Sequence, residues 1–248
     1  MRIVALSVLL PGAAIFIAGC GHSPGYPPNP IARPSEITDF ATLYKDNCAA
    51  CHGAHGQNGP AMDLANPEYQ ALVDDTTLRK WISGGMPGTE MMAFAQSKGG
   101  MLTSAQVDAL IAGMRKEWSR PEAFSGATLP PYAQTQAGDA HRGAQTYEAR
   151  CAGCHASSGE QGRQQVTSPA YLALAGDQAL RTIIIAGRPD IEQPDWRHDS
   201  PGGKETVPLS TQDVDDVVSY LASLRSGAEQ TATGAAPAQS ATAAPKGR

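Results

Sequence analysis

Apolar residues recur along this chain at the spacing of helices rather than of strands. The residues on one face of the first predicted helix are Ile37, Phe40, Leu43 and Tyr44. A later helix is predicted to begin at Thr103, because Gln106 three residues on completes a capping box. Its apolar face comprises Val107, Leu110, Ile111, Met114 and Trp118. No segment alternates apolar and polar residues as a half-buried strand does, so the chain is predicted to be all-α.

The second half of the chain repeats the first at a separation of 102 residues. Residues 66–72 match residues 168–174 in this register. Middle helices are predicted to end at Gly84-Gly85 and at Gly187, because glycine commonly follows a helix C-terminus. The helix that opens the second repeat is expected to turn Ala140, Ala144 and Tyr147 inward. A closing helix is predicted near Ser210, with the apolar residues Val214, Val217, Val218, Leu221 and Leu224.

The N-terminus has the pattern of an exported bacterial protein. Met1-Arg2 precedes an apolar stretch, Ile3–Ala18, that has the length of a signal peptide rather than of a membrane span. Residues 17–20 resemble the bacterial lipobox, in which the cysteine, here Cys20, carries acyl chains. The alternatives are a cleaved signal peptide followed by a free thiol, and an uncleaved anchor. We expect residues 1–19 to be a signal peptide and Cys20 to anchor the protein to a membrane that faces the periplasm.

Two further segments have the composition of a spacer and a tail. Residues 20–35 are rich in proline, glycine and small polar residues, which form a semi-stiff spacer. Residues 227–248 have almost no large apolar side chain and are predicted to be disordered. The net charge is −5, with lysine and arginine scattered along the chain, which argues against a nucleic-acid partner. No stretch after the N-terminal one is apolar enough to span a membrane.

One five-residue motif, Cys-x-x-Cys-His, occurs twice. Its first copy contains Cys48, Cys51 and His52. The second copy contains Cys151, Cys154 and His155. Two thiols at this spacing can bond to one porphyrin, and the adjacent histidine can then bind the iron, so the motif indicates covalent c-type haem. A zinc site and a redox dithiol are the rival interpretations, which two copies in an exported chain disfavour.

These features together resemble the class I cytochrome c family, in particular its tandem di-haem members. The resemblance covers residues 36–119 and 138–226, with a proline-containing linker at residues 120–137. It implies two cytochrome c domains in which a first and a last helix cross and enclose one covalently bound haem c each. The four motif cysteines would hold the two haems, and His52 and His155 would be the proximal iron ligands.

The resemblance also indicates a distal ligand in the first domain. Residues 85–94 read Gly-Met-Pro-Gly-Thr-Glu-Met-Met-Ala-Phe, close to the family pattern Gly-x-Pro-Gly-Thr-x-Met-Pro-x-Phe. Met91 falls on the ligand position of that pattern, and Met92 replaces its usual proline. A thioether ligand raises the reduction potential of haem iron. Met91 is therefore the predicted ligand, with Met92 and Met86 as alternatives.

The second domain departs from the family at this position. The 102-residue offset places Gln193 where the first domain has Met91, and no methionine follows Met114 in the chain. The distal candidates are Gln193, through its amide oxygen, and His198 five residues later. His141, Lys204 and an iron without a strong sixth ligand are the remaining possibilities. The two haems are therefore predicted to be inequivalent.

Electron transfer is the function that these features predict. The cofactor would carry the redox chemistry, while the protein sets its potential and access. The resemblance implies redox protein partners, including the subunits of a membrane respiratory complex, so the chain is expected to act as an electron carrier or as a subunit of such a complex and not as an enzyme. The alternative is a haem enzyme or gas-binding protein, similar to a peroxidase, that uses a weakly ligated second haem.

Overall fold

A computed structural model describes residues 32–155, 166–198 and 207–233, the last eight of these by backbone alone. The secondary structure in these ranges consists of ten α-helices and four short 3-10 turns. Its β-structure there is limited to two isolated bridges, Ala95–Leu102 and Arg188–Gln193. The prediction of an all-α fold is confirmed. The predicted signal peptide, Cys20 and most of the predicted spacer lie outside the described residues.

Each repeat contains five helices in the same order. In the first repeat they are α1 (Phe40–Asn47), α2 (Ala49–His52), α3 (Pro67–Leu72), α4 (Asp75–Gly84) and α5 (Ser104–Trp118). In the second repeat they are α6 (Ala140–Arg150), α7 (Ala152–His155), α8 (Pro169–Leu174), α9 (Asp177–Ala186) and α10 (Thr211–Thr233). The middle helices α4 and α9 are followed by Gly85 and Gly187, as predicted, and these glycines have φ values of +73° and +71°.

Side-chain caps determine where the helices begin. The Thr103 N–H donates to the Gln106 side chain at 3.0 Å, and the Gln106 N–H donates to the Thr103 hydroxyl, so the predicted capping box is present. Asn66 and Ser168 cap the equivalent helices α3 and α8, each with proline at the first helical position. Proline is favourable there because its missing N–H would have no partner within the helix.

The first and last helices of each repeat cross at a glycine. Gly113 of α5 lies against Phe40 of α1, and a Cβ atom there would approach the ring Cδ2 to 2.2 Å. In the second repeat the glycine is on the other helix, where Gly143 of α6 lies against the main chain of Asp216 in α10. Tyr147 is buried as predicted, whereas Ala144 is only half-buried. Both crossings agree with the arrangement that the family resemblance implied.

An arginine from the last helix joins the middle helices of each repeat. Arg115 of α5 contacts the Gln70 and Val73 carbonyl groups and the Asp75 carboxylate. Arg225 of α10 contacts the Leu172 and Ala175 carbonyl groups and the Asp177 carboxylate. In both repeats the guanidinium therefore satisfies carbonyl groups near the end of one short helix and the acidic first turn of the next.

The two repeats share an apolar core. The chain divides into Met1–Pro34 and Ser35–Arg248, and both repeats belong to the second unit. Ile185, Ala186 and Trp196 of the second repeat are buried in the same cluster as residues of α1, α4 and α5. The predicted linker at residues 120–137 is not an open tether, because Phe124 packs edge-on against Trp196 with ring centroids 5.1 Å apart.

The closing helix α10 is longer than the sequence analysis predicted. It continues to Thr233, whereas the disordered tail was predicted to start at residue 227. Alanine, glutamate and glutamine are good helix formers, so a helix nucleated by buried residues can propagate beyond them. The disordered tail stays a prediction, and residues 234–248 lie outside the described ranges. Across those ranges no helix combines the length and the apolar content that a membrane crossing requires.

Candidate haem sites

The first Cys-x-x-Cys-His motif forms a single helical turn directly after α1. The His52 N–H donates to the Cys48 carbonyl at 3.0 Å, which brings the two cysteines and the histidine together within that turn. The His52 Nδ1 atom lies 2.7 Å from the Met62 carbonyl oxygen. Because a carbonyl can only accept, Nδ1 carries the proton, and Nε2 keeps a lone pair for a metal.

The protonation of His52 also suits a ligand. Burial lowers the pKa of the imidazole, the Met62 carbonyl opposes this shift, and the positive charge of Arg188 adds to it. The pKa of His52 therefore lies below its ordinary value, and the ring is neutral at pH 7. A neutral imidazole with one oriented nitrogen is the form that binds haem iron.

A tyrosine of the preceding helix braces each motif. The Tyr44 hydroxyl donates to the Gly53 carbonyl at 3.0 Å, and the Tyr147 hydroxyl donates to the His155 carbonyl at 3.1 Å. Both tyrosines are buried. From the sequence these tyrosines were predicted only as core residues, although their equivalent positions in the two repeats were a signal that they serve the motif.

Met91 lies on a loop that closes on itself. Its carbonyl accepts from the Met86 N–H at 3.0 Å, and its own N–H donates to the Thr89 hydroxyl at 3.2 Å. Gly85 permits this closure, because a Cβ atom there would lie 2.7 Å from the Met91 carbonyl oxygen. Met91 packs against the apolar cluster that also contacts Cys48, whereas the alternative ligand Met92 is 69% exposed.

The second motif faces the predicted distal loop directly. The His155 Nε2 atom lies 2.9 Å from the Gln193 side-chain oxygen. These two side chains belong to the wall of a cavity whose other lining residues are Arg150, Cys151, Cys154, Ile184, Pro194, Asp195, Trp196, His198 and Leu209. The structure therefore brings both motif cysteines, the motif histidine and both main distal candidates to one cavity.

Gln193 occupies the place that Met91 has in the first repeat. The Arg188 N–H donates to the Gln193 carbonyl at 2.9 Å, just as the Met86 N–H donates to the Met91 carbonyl. Gly187 again permits the closure, since a Cβ atom there would lie 2.8 Å from the Gln193 carbonyl oxygen. The 102-residue offset thus predicted the correct structural equivalence, and the role of Gln193 as a ligand stays a prediction.

His198 lines the same cavity from the end of this loop. Its Nδ1 atom is buried and has no hydrogen-bond partner among the described residues. Burying a ring nitrogen without a hydrogen-bond partner costs free energy. The position of His198 therefore fits a side chain that interacts with a group bound in the cavity. His141 is exposed on the first turn of α6 and does not line the cavity, and Lys204 lies outside the described residues.

The ionisation of the Cys48 thiol disfavours a redox dithiol. Burial, with a further contribution from Cys51, raises the pKa of the Cys48 thiol to about 12. Reactive thiols have lowered pKa values instead. Where the structure describes the chain, no group of three or more histidine, cysteine, aspartate or glutamate residues converges as a metal site. Covalent haem needs only the two thiols and axial ligands, which these residues fit.

The contacts between the repeats were not foreseen from the sequence. The Arg188 guanidinium, from the second repeat, donates to the Gly59 carbonyl of the first repeat at 3.0 Å. The Asp190 carboxylate accepts from the Asn58 N–H at 2.8 Å. No local signal marks these residues, because their partners lie about 130 positions away in the chain.

Comparison with known proteins decides the family. The cytochrome c family profile matches residues 38–118 and 140–225, which together are most of the chain. The chain belongs to the cytochrome c family. Membership implies covalently bound haem c and an electron-transfer class of haem protein. Each matched segment contains one Cys-x-x-Cys-His motif with its own candidate distal loop.

Similar proteins come from two functional settings. A 113-residue region is 34% identical to the dihydro-heme d1 dehydrogenase of Pseudomonas aeruginosa, covering 45% of this chain and 18% of that protein. A 149-residue region is 27% identical to the cytochrome bc1 complex cytochrome c subunit of Mycobacterium tuberculosis, covering 58% of this chain and 51% of that protein. The solved structure of dihydro-heme d1 dehydrogenase NirN in complex with DHE aligns over 38% of this chain and 18% of that chain, with 29% identity and a TM-score of 0.28. The chain thus spans at most about half the length of these relatives.

Proposed function

We propose that this protein is a tandem di-haem c-type cytochrome that relays single electrons between respiratory redox partners at a membrane surface. The observation that carries the proposal is the duplication of the site. In each repeat a tyrosine-braced Cys-x-x-Cys-His turn is paired with a glycine-closed distal loop, Met91 in one and Gln193 in the other. Two such sites in one shared core would provide two redox centres between which an electron can pass.

Both sites are arranged to bind one redox group each. The residues hold, orient and enclose a redox group, and the group supplies the electron chemistry when it is bound. The similarity to a cytochrome bc1 complex cytochrome c subunit supports partners that belong to a membrane respiratory complex. The relay between donor and acceptor is therefore proposed for the whole molecule rather than for either repeat alone.

Haem stoichiometry tests this proposal most directly. The mature protein should carry two haems that acid–acetone cannot extract. Cys51→Ala and Cys154→Ala should each remove one of these haems, because each breaks one of the two thioether attachments in a single motif. Mass spectrometry of the wild type and both variants provides the measurement. One haem in the wild type, or zinc in place of iron, would refute the di-haem assignment.

The location of the relay is proposed from the N-terminal segment. We propose that Cys20 is acylated after export and holds both sites on the periplasmic side of a bacterial membrane. Cys20→Ser should release the protein from the membrane or stall its processing, without any change in the haem spectrum. A variant that stays in the membrane would show an uncleaved anchor instead.

A second candidate function rests on the weak distal side of the second site. An amide oxygen is a poor ligand compared with a thioether or an imidazole, so a small molecule could displace Gln193 and react or bind there. The similarity to a dihydro-heme d1 dehydrogenase supports this second candidate function. Carbon monoxide should bind the reduced wild-type protein readily if the second site is catalytic or gas-binding. A reduced spectrum that carbon monoxide leaves unchanged would eliminate this candidate.

A further inference from the structure

The distal loop of the second repeat reaches into the first repeat through a buried arginine. Arg188 starts this loop, only 5% of its surface is exposed, and its guanidinium donates to the Gly59 carbonyl in the loop that follows the first haem motif. Asp190, two residues later, accepts from the Asn58 N–H of the same loop. The segment that presents Gln193 to the second site therefore also holds the segment that borders the first.

Charged groups surround this contact. Arg188 pairs with Asp190 at 2.7 Å, and both side chains are almost completely buried. Asp63 of the first repeat is also buried, and the charges of Asp190 and Arg188 shift its pKa in opposite directions. The Arg188 charge acts on His52 as well, whose pKa it lowers, and on Tyr171. The charge of Arg188 thus acts on groups from both repeats, and one of them is the predicted proximal ligand.

The equivalent loop of the first repeat also contacts the other repeat, but without charged side chains. The 102-residue offset places Met86 opposite Arg188 and Gly88 opposite Asp190 in the repeat. Gly88 of the first repeat approaches Gly176 of the second, so main chain meets main chain. Of these two equivalent loops, only the one in the second repeat therefore brings a buried charged pair to the other repeat.

We propose that Arg188 is a positioning residue of the second repeat that sets the reduction potential of the first haem site. It holds the Asn58–Gly59 loop and carries a buried positive charge whose field reaches His52. This inference rests on the proposed di-haem function. A positive charge in a region of low dielectric constant favours the ferrous over the ferric state, so Arg188 should raise the potential of the first site. Asp190 opposes part of this effect.

The test is a redox titration of the intact di-haem protein with matched variants. Arg188→Gln removes the buried charge, and Arg188→Lys keeps it. Asp190→Asn removes the opposing charge and keeps an acceptor oxygen for the Asn58 N–H. Arg79→Gln is the control, since it makes the same net charge change in the first repeat at an exposed pair with Asp108. The first site is followed through the weak long-wavelength absorbance of thioether-ligated ferric haem, and covalent haem is counted in every sample.

The expected results have opposite signs for the two charges. Arg188→Gln should lower the first-site potential, Arg188→Lys should return it close to the wild-type value, and Asp190→Asn should raise it. Arg79→Gln should leave it unchanged, because solvent screens that charge. Equal potentials in Arg188→Gln and Arg79→Gln, or equal shifts in Arg188→Gln and Arg188→Lys, would overturn the proposal.

A second variant and the haem count keep the test decisive. If Arg188→Gln does not fold, Asp190→Asn still decides, because an unchanged or lowered first-site potential there contradicts the proposed charge effect. Fewer than two covalent haems in the wild type would refute the proposed function, whereas two haems with no potential shift would refute this inference alone.

Discussion

At the residue scale, the two repeats differ at the position of the predicted distal ligand, which is Met91 in the first and Gln193 in the second. Met91→Ala should abolish the long-wavelength absorbance of thioether-ligated ferric haem and leave the second site unchanged. Because the Gln193 amide oxygen faces His155 directly, Gln193→Ala should change the electron paramagnetic resonance signal of the second site. His198→Ala should leave its spin state unaltered. Electron paramagnetic resonance of the oxidised protein measures both. Loss of low-spin character in His198→Ala alone would assign the imidazole instead.

A buried carboxyl group gives the folded protein a pH dependence of its own. Burial, reinforced by the negative charge of Asp190, raises the pKa of Asp63 to about 6. The folded state therefore holds this proton more tightly than the unfolded state, and the associated stability is present at low pH and is lost as pH rises through about 6. Asp63→Asn removes that dependence. Its stability relative to wild type should increase between pH 4 and pH 7 by about 2 kcal/mol.

The control variant for this prediction should show the opposite dependence of stability on pH. Asp74 caps α4, and the Thr77 N–H and hydroxyl groups lower its pKa, so its stabilising effect is present at neutral pH and is lost as pH falls. Asp74→Asn should therefore cost most at neutral pH. Urea denaturation of both variants and the wild type from pH 4 to pH 7 distinguishes the two trends. Parallel curves for Asp63→Asn and wild type would contradict the assignment.

At the element scale, a glycine determines how closely the first and last helices of the first repeat approach. A Cβ atom on Gly113 would lie 2.2 Å from the Phe40 ring, which is itself packed against Trp118. Gly113→Ala gains helix propensity, but it forces the helices apart, so it should destabilise the protein by about 1–3 kcal/mol. Gly84→Ala is the control, because a Cβ atom at Gly84, which ends α4, meets nothing within 4 Å. It should be neutral or stabilising, and equal effects of the two changes would show that the crossing tolerates a side chain.

The elements themselves could largely be predicted from the sequence, whereas their closest contacts could not. Periodicity and capping chemistry are local, so the capping box at Thr103 and the stop at Gly187 follow from a few neighbouring residues. Which glycine lies at a crossing depends on the partner helix, and Gly143 was therefore missed. Helix propensity beyond the buried stripe also extended α10 past the expected boundary.

At the scale of the whole molecule, the repeat predicted two similar units but not how they join. The equivalence of Met91 and Gln193 follows from a constant offset, since both loops close on a glycine. The contact of Arg188 with Gly59 connects distant parts of the chain, and no pattern within either repeat requires it. Two repeats with a shared core are expected to unfold together, because exposing one side of the core leaves the other side unsupported.

Asn66 provides the sharpest test of that cooperativity. Its amide nitrogen donates to the Ala186 and Gly187 carbonyl groups of the second repeat at 2.9 and 3.2 Å, while its oxygen caps α3. Asn66→Asp keeps the cap but sets a buried carboxylate against two carbonyl oxygens, so it should destabilise the protein by about 2–4 kcal/mol. Ser168→Asp makes the same new residue at the equivalent cap of α8 and should change stability by less than about 0.5 kcal/mol.

Thermal unfolding of both variants should be followed by far-ultraviolet circular dichroism and by the haem absorbance of each site. In Asn66→Asp all signals should move together to a lower midpoint, because the lost contact lies between the repeats and the core continues through them. If the first-site signal moved while the second-site signal kept its wild-type midpoint, the repeats would be independent folding units. The buried contact would then orient two separately stable cytochrome domains, and the influence of Arg188 on the first site would depend on docking rather than on folding.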